Sequence, residues 1–69
     1  MELILWPSDF AAESYEVASR DDARALVRAE WDRIGQFPGW LALYDARGCL
    51  LEERDWQAGE DVDSALVGW

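Results

Sequence analysis

The sequence contains no lysine, histidine, asparagine or threonine, and it has one cysteine among 69 residues. Lys and His are the usual bases that activate a Ser or Cys nucleophile, so nucleophilic catalysis is not expected. The single Cys49 excludes an intramolecular disulfide and is typical of a reducing compartment. Its neighbours Leu50 and Leu51 predict that Cys49 is a small buried hydrophobe rather than a reactive thiol.

Long hydrophobic runs are also absent. No apolar run approaches the ~20 residues that cross a bilayer, and residues 1–6 are too short and too acidic for a signal peptide. Hydrophobic residues make up 51% of the chain and include five tryptophans, which argues against disorder. We therefore expect one small cytoplasmic domain over residues 1–69 that binds no membrane and no cofactor.

Negative charge dominates the composition. Fifteen acidic residues stand against six arginines, a formal net charge of -9. This exceeds the range of about 2 to 8 that suits a small soluble domain, and self-repulsion at such a charge destabilises the compact state. A surface this negative attracts a basic partner and repels nucleic acid. The composition thus predicts a binding protein for a basic surface.

The strongest local pattern predicts a helix over Arg20–Ile34. Ser19 is a good N-cap, apolar residues recur at helical spacing, and Gly35 is a natural C-terminal stop. Within this helix Glu30 falls on the apolar face, where we expect an edge position neutralised by Arg33. Another flank carries Arg20, Arg24 and Arg28, which we expect to neutralise nearby carboxylates.

The remaining elements predict a small antiparallel sheet. Residues 2–6 read as a strand, and residues 40–44 and 49–54 as a hairpin around an Asp45–Gly48 turn. Residues 10–18 fit either a strand or a helix, and we favour a strand over residues 14–18. Asp61 is a candidate cap for a short C-terminal helix. One main helix packed on this sheet makes the fold class α+β.

The acidic cluster at residues 52–63 is the most suggestive constellation. It holds six carboxylates against Arg54 alone, and two interpretations remain open: a solvated face, or a recognition surface that replaces phosphates on a basic partner. Trp56 is either a core residue or an interface anchor. Trp31 and Trp40 are expected in the core and Trp69 is expected to be exposed. The predicted partner-binding residues are Glu52, Glu53, Asp55, Trp56, Glu60, Asp61 and Asp63.

The chain is a short, acidic, Trp-containing single domain, and in this it resembles small phage-encoded anti-CRISPR proteins. The segments that carry the resemblance are residues 1–7 and residues 14–22. The chain looks like an anti-CRISPR protein that inhibits a type I, type I-C-like, surveillance complex. The resemblance implies a non-enzymatic inhibitor in the host bacterial cytoplasm that binds a Cas subunit and blocks target DNA by DNA mimicry. We expect a monomer without catalytic residues or metal. The alternative is a small interaction or regulatory module, antitoxin-like, that binds through an apolar Trp-containing patch.

Overall fold

Six elements form the fold in a computed structural model, which describes residues Met1–Trp69. Four antiparallel strands make one sheet in the order β2-β1-β3-β4, with α1 packed on one face, so the predicted α+β class is confirmed. Neither helix has the length and hydropathy of a transmembrane helix. The elements are β1 (Glu2–Pro7), β2 (Glu13–Glu16), α1 (Arg20–Ile34), β3 (Gly39–Tyr44), β4 (Leu50–Trp56) and α2 (Val62–Ala65).

The core lies between α1 and one face of the sheet. Leu3 pairs with Leu43 and Leu5 with Leu41 across the central strands, and all four side chains are fully buried. Side chains alternate between the faces of a strand, so the intervening residues of β1 and β3 point away from α1. The buried cluster consists of Leu3, Leu5, Val17, Ala23, Val27, Ile34, Leu41, Leu43, Trp56, Ala65 and Leu66.

The predicted bounds of α1 are confirmed. The hydroxyl of Ser19 accepts a hydrogen bond from the backbone N–H of Asp22 at 3.1 Å. Gly35 ends the helix with a right-handed backbone (φ -70°), so it is no left-handed cap. A Cβ at Gly35 would lie 2.7 Å from Nε1 of Trp31, and this close packing is what requires glycine. The same indole nitrogen donates to the carbonyl of Glu60 at 2.9 Å and ties α1 to the loop after β4.

The β3–β4 hairpin is also confirmed. Oδ1 of Asp45 accepts hydrogen bonds from the backbone N–H groups of Arg47 and Cys49 at 2.8 and 2.9 Å, and Gly48 has φ +84°. Tyr44 pairs with Leu50 and Leu43 with Glu52, which leaves Leu51 in a bulge. The prediction of a buried Cys49 is wrong: it is exposed because it lies at the hairpin tip, before β4 begins.

The two ambiguous segments are extended and helical, respectively. The strand predicted over residues 14–18 corresponds to β2, which runs over Glu13–Glu16, so the helical alternative is wrong. The C-terminal helix α2 has Asp61 as its N-cap, with the side chain accepting from the backbone N–H of Asp63 at 3.1 Å.

The tryptophans divide differently from the prediction. Trp56 is buried and donates to the carbonyl of Phe37, and Trp31 packs against it with ring centroids 5.4 Å apart. The prediction of a core Trp40 is wrong, because the strand phase directs it to the sheet face away from α1. The prediction of an exposed Trp69 is wrong as well, since it is half-buried against the core with the Arg20 guanidinium 6.0 Å from its ring centroid.

Candidate protein-binding face

The acidic cluster at residues 52–63 does not form one surface. Glu52 points to the α1 side of the sheet, where it accepts from Arg54 at 2.9 Å and from Arg20 at 3.2 Å. These two guanidinium groups, Arg54 first, lower the pKa of Glu52. Asp63 forms an ion pair with Arg28 of α1. Because both carboxylates are paired with arginine, neither presents a free charge to a partner.

Two further carboxylates of the cluster bind backbone groups. Oε1 of Glu60 accepts from the backbone N–H of Gln57 at 2.9 Å, and Asp61 caps α2.

Trp56 is 1% exposed, so the core interpretation of this residue holds and it is not available as an interface anchor. Of the seven predicted partner-binding residues, only Glu53 and Asp55 are exposed on the sheet without a hydrogen bond or ion pair from their side chains.

Glu53 and Asp55 lie on the sheet face opposite α1, which we call the open face. The register arranges this face in rows that run across the strands from β2 to β4. The first row is Glu16, Glu2, Tyr44 and Leu50; the second is Ser14, Ile4, Ala42 and Glu53; the third is Trp6, Trp40 and Asp55. No helix covers these rows, since the core cluster lies on the other face.

An apolar band crosses the open face on the diagonal. It begins at Trp6 and Trp40, whose rings form an edge-to-face pair with centroids 6.4 Å apart, and it ends at Leu50. Trp6 is 51% and Leu50 is 49% exposed. Exposed aromatic area surrounded by polar residues is characteristic of protein interfaces.

Carboxylates occupy the two remaining corners of the open face. Glu2 and Glu16 stand at one corner and Glu53 and Asp55 at the other. With neighbouring strands about 4.8 Å apart, β1 and β4 are roughly 10 Å apart across the sheet, and the carboxylates that they carry flank the band on its two sides. Glu16 contacts the Met1 amino group at 3.3 Å, but no arginine pairs with any of the four.

The arginines are concentrated on the side of the sheet opposite the open face, which we call the α1 layer because it consists of α1 and the side chains that point towards it. Five of the six form ion pairs with acids, four of them from α1. Arg33 binds both Glu13 and Glu30, which confirms the predicted neutralisation of Glu30. The predicted role of the Arg20, Arg24 and Arg28 stripe is confirmed as well. Five acids on the α1 side of the molecule are therefore paired with arginine, whereas none of the four on the open face is.

Most of the open face was not predicted from the sequence. Trp6, Trp40 and Glu2 were not assigned to a binding surface, although the alternation of residues in β1 indicates where Trp6 points. In β1 the residues Leu3 and Leu5 alternate with Glu2, Ile4 and Trp6, so placing the leucines in the core already directs Trp6 outward.

Two open clefts are present, one beside Trp31 and Gly35 and one beside Met1 and Asp45. No group of three or more His, Cys, Asp or Glu side chains converges to hold a metal ion. Comparison with protein-family models, curated proteins and solved structures found no match. The open face is thus identified by geometry, exposure and charge alone.

Proposed function

We propose that this protein is a non-enzymatic inhibitor that binds a basic, nucleic-acid-binding surface of a partner protein through its open face. The observation that carries this proposal is the separation of charge. Glu2 and Glu16 on one side and Glu53 and Asp55 on the other flank the apolar band without an arginine among them, while five arginines pair with acids on the α1 side. Such a face is complementary to a surface rich in arginine or lysine.

A basic groove that holds nucleic acid fits this description best. Such a groove gains its affinity from Lys and Arg contacts to phosphates, and carboxylates placed on its surface compete for the same side chains. The resemblance to anti-CRISPR proteins supplies a concrete candidate for the partner, a DNA-binding Cas subunit of a type I-C-like surveillance complex. Competition with target DNA then produces inhibition without any chemical step.

The test is a competition assay with a type I-C surveillance complex and its target DNA. The variant Glu53→Gln/Asp55→Asn removes two open-face charges and keeps side-chain size. At low salt we expect its inhibition of DNA binding to weaken about tenfold, because each charge contributes up to about 1 kcal/mol to such contacts. Inhibition by the wild type should itself fade as salt rises, since the screening length falls to about 8 Å at physiological ionic strength.

The matched control is Asp22→Asn/Asp32→Asn, which removes two exposed, unpaired acids of α1. Both double variants carry a net charge of -9 + 2 = -7. If total charge were all that mattered, the two variants would weaken equally. Full inhibition by a folded Glu53→Gln/Asp55→Asn protein would refute the proposal.

The second candidate function is an interaction module that masks an apolar patch on its partner. The 51% exposure of Trp6 and the 49% exposure of Leu50 favour it. In that case Trp6→Ala abolishes binding, Glu53→Gln/Asp55→Asn leaves it intact, and binding depends little on salt.

A further inference from the structure

The third row of the open face places an aromatic pair beside a carboxylate. Trp40 pairs with Trp6 on one side and with Asp55 on the other, in register across β1, β3 and β4. Cβ atoms of directly opposed residues are about 4.5–5.5 Å apart, so one incoming side chain can contact the indoles and the carboxylate together. No arginine of this protein forms an ion pair with Asp55 or a cation–π contact with Trp6 or Trp40.

Arginine and lysine differ in how well they suit such a position. The guanidinium is planar, weakly hydrated and able to stack on an aromatic ring while it donates two hydrogen bonds to a carboxylate. The ammonium of lysine is compact and strongly hydrated, and it gains less from the indole. We infer that the open face recognises arginine in preference to lysine, with one arginine of the partner lying over the Trp6–Trp40 pair and binding Asp55.

The protein already contains this arrangement within its own fold. The guanidinium of Arg20 lies 6.0 Å from the ring centroid of Trp69 and binds Glu52 at 3.2 Å. An arginine, an indole and a carboxylate therefore associate on the α1 side of the sheet. The third row of the open face presents the same two kinds of group, an indole and a carboxylate, without an arginine.

This inference rests on the proposed function, and two peptides of equal length test it whatever the identity of the partner. Hexa-arginine and hexa-lysine carry the same charge and differ in the cationic group and by one methylene in each side chain. Calorimetry at low salt gives the Kd of each peptide, and the indole N–H resonances of Trp6 and Trp40 report the site. We expect hexa-arginine to bind about two- to fivefold more tightly and to shift both resonances.

Two variants isolate the cause of this preference. Trp6→Leu removes one of the two rings and should lower the ratio of the two Kd values, and Asp55→Asn removes the charge and should bring the ratio to about one. The matched controls are Phe10→Leu, an exposed aromatic in the β1–β2 loop, and Asp32→Asn on α1; both should keep the ratio. Asp55→Asn changes only an exposed group, so it decides the question even where Trp6→Leu unfolds.

The outcomes separate this inference from the proposed function. Equal Kd values for the two peptides, both weakened by Glu53→Gln/Asp55→Asn, would overturn the arginine preference and leave a basic partner intact. An arginine preference that survives in Asp55→Asn would overturn it as well. Peptide binding that is insensitive to Glu53→Gln/Asp55→Asn would overturn both.

Discussion

Glu13 shows how the fold stabilises a carboxylate that the sequence did not single out. Arg33 donates to both of its oxygens at 2.7 and 2.8 Å, and the hydroxyl of Tyr15 donates at 2.7 Å. These hydrogen bonds, the Arg33 ones first, lower the pKa of Glu13 from its ordinary 4.5 to about 2. The carboxylate in turn raises the pKa of Tyr15 and that of Arg33. Glu13 thus connects β2 to α1 by charge.

Acid sensitivity follows from this shift. Because the pKa of Glu13 is lower in the folded state, its ionised form stabilises the fold above pH 4.5, and this contribution is lost as pH falls towards 2. Glu13→Gln should cost about 1 kcal/mol at neutral pH, a modest figure because Arg33 is 44% exposed and solvent screens the pair. Melting temperatures from pH 7 to 2 test this.

The acid limb of the wild-type curve should fall more steeply than that of Glu13→Gln, and the two should converge near pH 2. Asp32→Asn, which removes an unpaired acid, should follow the wild type apart from a constant offset. Parallel acid limbs for wild type and Glu13→Gln would contradict the assignment.

At the scale of elements, α1 and the β3–β4 hairpin were predictable because their signals are local. Ser19 and the Asp45–Gly48 turn act through their own backbone neighbours, so α1 and the hairpin could be read from a few consecutive residues. The direction in which a strand residue points depends on pairing with distant strands. Residues 40–44 are all apolar, and only pairing with β1 decides that Leu41 is buried and Trp40 is not.

The same reason explains why the acidic cluster is not the single surface that its sequence indicates. Its residues pass from a strand through a loop into α2, and side chains along β4 alternate between faces. Glu52 therefore meets Arg20 and Arg54 on one side of the sheet, while Glu53 points to the other. Proximity in sequence did not become proximity on one surface.

The hairpin turn gives a prediction for an element. Asp45→Ala removes the acceptor of two backbone N–H groups, and we expect it to destabilise the fold by about 1 kcal/mol with an unchanged urea m-value. Asp45→Asn keeps a carbonyl oxygen at the same place and should lose less than half as much. If Asn were as damaging as Ala, the charge of Asp45 and not its role as acceptor would be the stabilising feature.

At the scale of the whole molecule, the position of the carboxylates matters more than their number. The net charge of -9 implies self-repulsion, yet five arginines bind acids on the α1 layer and limit it there. No arginine offsets the repulsion between Glu53 and Asp55 on the open face. A protein selected only for folding would gain by losing these charges, and their presence supports a binding role for the open face.

Two double variants with the same net charge test this distribution. Glu53→Gln/Asp55→Asn removes unpaired charges, so its melting temperature should equal or exceed that of the wild type. Glu13→Gln/Glu52→Gln removes carboxylates bound by Arg33, Arg54 and Arg20, and we expect it to melt about 5–10 °C lower, as a loss of roughly 1–2 kcal/mol implies for a domain of this size.

Added salt should narrow the difference in melting temperature between these two variants, because screening weakens both the repulsion on the open face and the exposed ion pairs. Melting curves at low and high ionic strength measure this directly. If both variants shifted in the same direction by the same amount, total charge alone would control stability. A stable Glu53→Gln/Asp55→Asn protein that has also lost its affinity for basic peptides would mean that the fold tolerates these carboxylates for binding, at a measurable cost in stability.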